Sequence, residues 1–254
     1  MIAAPLYIET LGSFGVLQSG ERLPDSVWSR EKALMLFQYF VTFPAQLMSK
    51  ERIVEELWPE LDANQADRDF KVAFNALNDA LEPDRAARSL AAYFMRQGTS
   101  YGFQPEAPIQ LDYLRFEEMI LAASREPSEN AIRHYREALK LYHGDYLPNL
   151  IRQDWTAATR ERLSSLFLAA ATQLAKCLVQ NKNDLEGIFW CQRIIATDPL
   201  WEEAYRLLMR AYALQANHPL IVKTYERLAD CLQRDLGLEP MAETLQLYRQ
   251  LLEG

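Results

Sequence analysis

Glycine is scarce in this chain. Its nine glycines form no G-x-G-x-x-G or G-x-x-x-x-G-K-[S/T] run, so neither a dinucleotide fingerprint nor a phosphate-cradling loop is present. Gly-x-Ser-x-Gly and His-Glu-x-x-His are absent as well. His134, His143 and His218 stand apart, with no cysteine or carboxylate at metal-ligand spacing. Cys177, Cys191 and Cys231 are odd in number and lie inside helical patterns, which suits reduced, buried thiols rather than a disulfide framework. The acidic pairs Glu55-Glu56, Glu117-Glu118 and Glu202-Glu203 read as solvated helix faces, not as acid/base dyads. These absences predict no catalytic residue, no metal and no cofactor.

No apolar run approaches the length needed to cross a bilayer. The opening residues lack the basic flank and apolar core of a secretory signal. A cytoplasmic location without a membrane partner is the expectation. Positive charge is also short: 27 Lys and Arg against 35 Asp and Glu, a net charge of −8. That balance argues against a generic polyanion binder and leaves room for a local basic patch.

What is present falls into two patterns. LYIETLGSFGVLQSG (residues 6–20) alternates apolar and polar residues around two glycines and predicts short antiparallel strands. EKALMLFQYFVTF (31–43) carries a helical apolar face and stops before Pro44. Ser49 starts a second helix that Pro59 ends, and a third runs from about Asn64 to Leu81. AAYFMRQGTSYGF (91–103) then alternates on both sides of Gln97-Gly98, a hairpin signal. Strands, three helices and a hairpin in that order predict an α+β winged helix-turn-helix.

From Asp112 every long segment reads as helix: near 112–124, 128–142, 154–180, 184–196, 200–215, 218–235 and 241–252. The joints are Pro127, Gly144, Asn181–Asn183, Asp198-Pro199, Asn217–Pro219 and Gly237–Pro240. Ala204, Tyr205, Leu208, Ala211 and Tyr212 alternate small and aromatic residues at helical spacing, the packing logic of tetratricopeptide repeats. An all-α, tetratricopeptide-like repeat domain is predicted, with two domains divided in QPEAPIQ: 1–106 and 107–254. Leu236-Gly237 predicts a helix C-cap and Glu239-Pro240 the start of a closing helix.

The chemistry of the third helix decides the partner. At 100° per residue, Phe70, Phe74, Leu77 and Leu81 share one side, and Arg68, Lys71, Val72, Asn75 and Asp79 project from the other. Arg68 and Lys71 suit phosphate or guanine, Asn75 suits adenine, and Arg96 near the hairpin tip suits a flanking phosphate. Asn78 joins the set that would face the major groove. Against double-stranded DNA stand Asp67, Asp69 and Asp79 on the same helix, and a net charge of −5 over residues 1–110. A protein-contact module without DNA binding stays open beside the DNA reading.

Several stretches resemble one family. LYIETLGSFGV, SREKALMLFQYFVTFPAQLMSKERIVEELWPE, FKVAFNALNDALEP and YFMRQGTSYGF are similar to the strands, helices and wing of an OmpR-type winged helix. LDYLRFEEMI, YHGDYLPNLIRQDWTAATRERL, DPLWEEAYRLLMRAYA and YERLADCLQRDLGLEPMAET resemble a bacterial transcriptional activation domain. The chain is thus similar to bacterial regulators of the antibiotic regulatory protein type, which join the two domains. The resemblance implies a transcription regulator, an activator, with DNA and RNA polymerase or another regulator domain as partners and room for a homo-oligomer. The family's third helix commonly carries Leu-Arg-Arg/Lys where this chain has Leu77-Asn78-Asp79, and its wing an Arg where Gly102 follows Tyr101. The alternative is a non-DNA-binding C-terminal interaction and regulatory module of a larger ATP-dependent transcription regulator.

Overall fold

A computed structural model describes residues 3–86, 89–125 and 128–253. The chain forms two compact units, Met1–Arg115 with His143–Glu161, and Phe116–Tyr142 with Arg162–Gly254.

In the first unit β1 (Leu6–Glu9) pairs antiparallel with β2 (Gly15–Gln18), which carries the two-residue β3 (Glu21–Arg22) on its far edge. Along β1 buried and half-buried residues alternate, with Leu6 and Ile8 turned to the core. Three helices follow: α1 (Glu31–Thr42), α2 (Lys50–Leu57) and α3 (Ala63–Leu81). Ser49 caps α2 by accepting from the Arg52 N–H at 3.2 Å. Asp62 caps α3 by accepting from Asn64 and Gln65 N–H at 3.0 and 2.9 Å. The wing is β5 (Phe94–Gln97) and β6 (Ser100–Phe103), joined by Gly98-Thr99, and β4 (Met48–Ser49) pairs with β6 on its other edge. Phe37, Phe40, Phe94 and Phe103 fill the space between α1 and the wing, with ring centroids 5.1–6.3 Å apart.

The expected division after residue 106 is not a single cut. Ile109–Leu111 is a strand, β7, lying parallel to β1 with Leu6 opposite Ile109. Three residues are too few to show a period, which is why the stretch reads as a linker. The next residue, Asp112, is buried in the same unit. Its carboxylate accepts from Thr10 N–H at 2.7 Å, Thr10 Oγ1 at 2.5 Å and Leu11 N–H at 3.0 Å. Residues 143–161 return to this unit as well. Leu147 N–H donates to Thr10 O, Gly12 N–H donates to Asp145 O, and Tyr146 lies wholly buried with its hydroxyl 2.8 Å from that of Thr42. Gly12 makes this docking possible: at its φ of +90° an added Cβ would lie 2.8 Å from the His143 carbonyl carbon.

The remaining helices are α4 (Asp112–Ala123), α5 (Ser128–Leu139), α6 (Asp154–Gln180), α7 (Asp184–Thr197), α8 (Glu202–Leu214), α9 (His218–Leu236) and α10 (Ala242–Glu253). The joint expected at Pro127 lies outside the described residues. In the second unit α7 packs on α8, α8 on α9, and α10 on both α8 and α9. Gly187 lets α7 approach α6 closely, since a Cβ there would sit 2.8 Å from a Val179 methyl. α10 closes the stack, as expected, with Tyr248 stacked on Tyr225 at 4.1 Å.

Three expectations change here. α6 is, by length and composition, long and apolar enough to cross a bilayer. More than half of that stretch is buried within the protein, and Leu163, Phe167, Ala171, Leu174 and Leu178 face the core. Glu202 is not a solvated surface acid. It is buried and accepts from Met241 N–H and from Thr244 Oγ1 at 2.6 Å, capping α10 from α8. The three cysteines are free, but Cys177 is only half-buried.

Candidate nucleic-acid interface

α3 is amphipathic because Phe70, Ala73, Leu77 and Leu81 recur on one side and are all buried. The opposite side carries a ridge of Arg68, Val72, Asn75 and Asp79, every one exposed. Their spacings of four, three and four residues bring them into line along the helix. Beside the ridge, the chain entering α1 borders a shallow groove of about 480 Å³, lined by Val27, Ser29, Arg30, Val72, Asn75, Ala76, Asp79 and Ala80.

The acids on the flanks of α3 are occupied. Asp67 accepts from Lys50 of α2 at 2.5 Å and from Lys71 at 2.7 Å. These two hydrogen bonds hold its carboxyl down to about 2. Asp69 accepts from Lys32 of α1 at 2.6 Å, which lowers its carboxyl too. Lys32 in turn stands 5.2 Å over the Trp58 ring. Asp79 differs: it pairs with Arg85 only at 3.7 Å, and its side chain is 73% exposed.

The wing is fixed to α3 through Tyr101, whose ring lies 4.7 Å from that of Phe70 and 5.0 Å from that of Phe74. Arg96 is exposed, donates to Gly98 O at 2.8 Å and lies 5.6 Å over the same tyrosine. A winged-helix unit thus presents a helix ridge and, on the adjoining wing, a guanidinium. Residues 111–252 match the family described as bacterial transcriptional activator domain.

The chain belongs to this family. Among relatives of the bacterial transcriptional activator domain chain is transcriptional regulatory protein MoaR1 of Mycobacterium bovis (strain BCG / Pasteur 1173P2) and of Mycobacterium tuberculosis. Both are 26% identical to it over 147 residues, which is 56% of this chain and 47% of theirs. Mycobacterium tuberculosis EmbR, solved in complex with a low affinity phosphopeptide, shares the fold with a TM-score of 0.77 at 20% identity. That likeness covers 98% of this chain and 65% of the EmbR chain. The chain therefore spans about half the length of the curated relatives it matches.

In this bacterial transcriptional activator domain chain, Arg68 and Asn75 stand on the exposed ridge and Arg96 on the wing. Lys71 projects from the flank and is paired with Asp67. Asn78 is a correction. It is 2% exposed, and its amide donates to Phe74 O at 2.7 Å, so it cannot face a groove of DNA. Its position lies close enough to the apolar side that packing encloses it. Arg30, which caps the groove beside Asn75 and Asp79, was not singled out by the sequence. Only the tertiary placement of the chain entering α1 brings it there. Among the described residues no cluster of His, Cys, Asp and Glu is arranged to hold a metal ion.

Proposed function

We propose that this chain is a transcription regulator, an activator, that binds double-stranded DNA through α3 and the wing and contacts a protein partner through its helical unit. The observation that carries the reading is the exposed Arg68–Val72–Asn75–Asp79 ridge on a winged-helix unit. Arg68 supplies a bidentate donor for guanine and Asn75 a donor–acceptor pair for adenine. Arg96 supplies a phosphate contact beside them. The pairing of Asp67 and Asp69 with lysines removes much of the repulsion that the acidic composition suggests.

The partner of the helical unit is RNA polymerase or another regulator domain, acting in the cytoplasm. EmbR, which shares the fold, was itself solved with a phosphopeptide, a protein-type ligand of that relative. A gel-shift titration with a pool of genomic fragments tests the DNA reading. The Arg68→Ala/Lys71→Ala double variant is expected to bind at least tenfold more weakly in low salt, with a shallower salt dependence. Equal binding by the variant and the parent chain overturns the assignment.

A further inference from the structure

Asp79 is far more exposed than Asp67 and Asp69 on α3, with its side chain 73% open against 38% and 27%. Asp67 and Asp69 meet lysine Nζ atoms at 2.5–2.7 Å, whereas Asp79 pairs more loosely, with Arg85 at 3.7 Å, and is largely open. It occupies the outward ridge one turn beyond Asn75 and lines the groove with Ser29 and Arg30. On a DNA-facing helix an exposed carboxylate is repelled by phosphates, and the ridge would bind duplex better without it. It contributes only where a base offers it a hydrogen. In the major groove the cytosine N4 amino group is a donor with no acceptor beside it on the same base. Adenine places its N7 acceptor next to N6 and repels the second carboxylate oxygen.

The ridge carries another uncharged reader. Val72 is 39% exposed between Arg68 and Asn75, an aliphatic side chain of the kind that meets the thymine methyl group. From Arg68 to Asp79 the helix rises about 16 Å at ~1.5 Å per residue. At ~3.4 Å per base step that spans about five base pairs.

We propose, resting on the DNA reading above, that Asp79 is a specificity-determining residue that selects cytosine within a site of about five base pairs. In that site Val72 meets a thymine methyl, Arg68 a guanine and Asn75 an adenine. Recognition then depends on base edges more than on phosphate charge, which suits a winged helix as acidic as this one.

The test is selection from a randomised duplex pool at low salt with the parent chain, Asp79→Asn and Asp79→Ala. The substituted side chain is exposed, and circular dichroism confirms that both variants fold. The parent chain is expected to return a motif with an invariant cytosine. Asp79→Asn moves that position toward adenine, Asp79→Ala loses its preference, and both bind random duplex several-fold more tightly. Motifs that are unchanged in both variants overturn the role of Asp79 and leave the DNA reading standing. A parent chain that retains no duplex in low salt overturns both.

Discussion

Asp67 shows how a single acid reshapes the charge of a helix. Its carboxylate bridges Lys50 and Lys71, and those bonds lower it from 3.8 to about 2. A folded-state value below the unfolded one means that its contribution to stability is complete above pH 3.8 and is lost as the pH falls through about 2. Asp67→Asn should therefore lower the urea midpoint at pH 6, with the difference from the parent chain shrinking as the pH approaches 2.5. The same substitution releases both lysines toward a phosphate backbone. Duplex affinity is expected to rise three- to tenfold, and the salt slope to steepen by roughly 1–2. A slope that does not change would show that the two lysines never reach phosphate. The exposure of Arg68, Asn75 and Arg96 was legible in the sequence because it follows helical and hairpin periods. It did not make the pairing of Asp67 and Asp69 legible, because Lys50 and Lys32 arrive from other helices. Asn78 misled for a related reason: helical phase gives direction from the axis, not how far neighbouring side chains extend around it.

At the scale of the element, the helical unit is governed by how its turns close. Lys182 and Ala216 sit in the left-handed region, at φ 58° and 51°, where a Cβ is unfavourable. Each ends a helix in the same way. Asn183 N–H reaches back to Leu178 O at 2.9 Å and Asn217 N–H to Tyr212 O at 3.0 Å. Ala216→Gly removes the strain without touching these bonds and is expected to stabilise by about 0.5–1 kcal/mol. That corresponds to a rise in Tm of about 2–4 °C per kcal/mol for a chain of this size, measured by calorimetry. A fall in Tm would show that the flexibility glycine adds to the unfolded chain outweighs the strain. Gly187 poses the opposite case. Gly187→Leu would drive a side chain into Val179 between α6 and α7 and cost about 1–3 kcal/mol, seen as a lower urea midpoint. The helices of this unit were readable to within a few residues because each has a sustained apolar period and a Pro, Gly or Asn at its end. The capping of α10 by Glu202 was not, because the acid lies 39 residues from the amide it holds.

For the whole molecule, the division of the chain is the property that sequence order conceals. Residues 143–161 lie far along the chain, beyond α4 and α5, yet they complete the first unit. Tyr146, Leu147 and Thr156 are fully buried there, and Arg160 holds the turn by donating to Tyr146 O at 3.2 Å and Leu150 O at 3.1 Å. Asp112 joins the same core through four hydrogen bonds, although its burial raises its carboxyl above the ordinary range. Asp112→Ala strands the Thr10, Leu11 and Tyr113 amides and should cost about 3 kcal/mol. A fragment of residues 1–106 loses β7, Asp112 and the whole 143–161 segment. Burying each large apolar side chain of that segment is worth about 1.5–3 kcal/mol. Removing several therefore approaches the ~5–15 kcal/mol by which a domain is stable at all. The fragment 1–106 is expected to show no cooperative thermal transition by circular dichroism. A fragment of residues 1–115 mixed with a synthetic peptide of residues 143–161 should recover one at a temperature that rises with peptide concentration. If residues 1–106 alone melt cooperatively near the full chain's Tm, the 143–161 segment decorates the winged helix rather than completing its core.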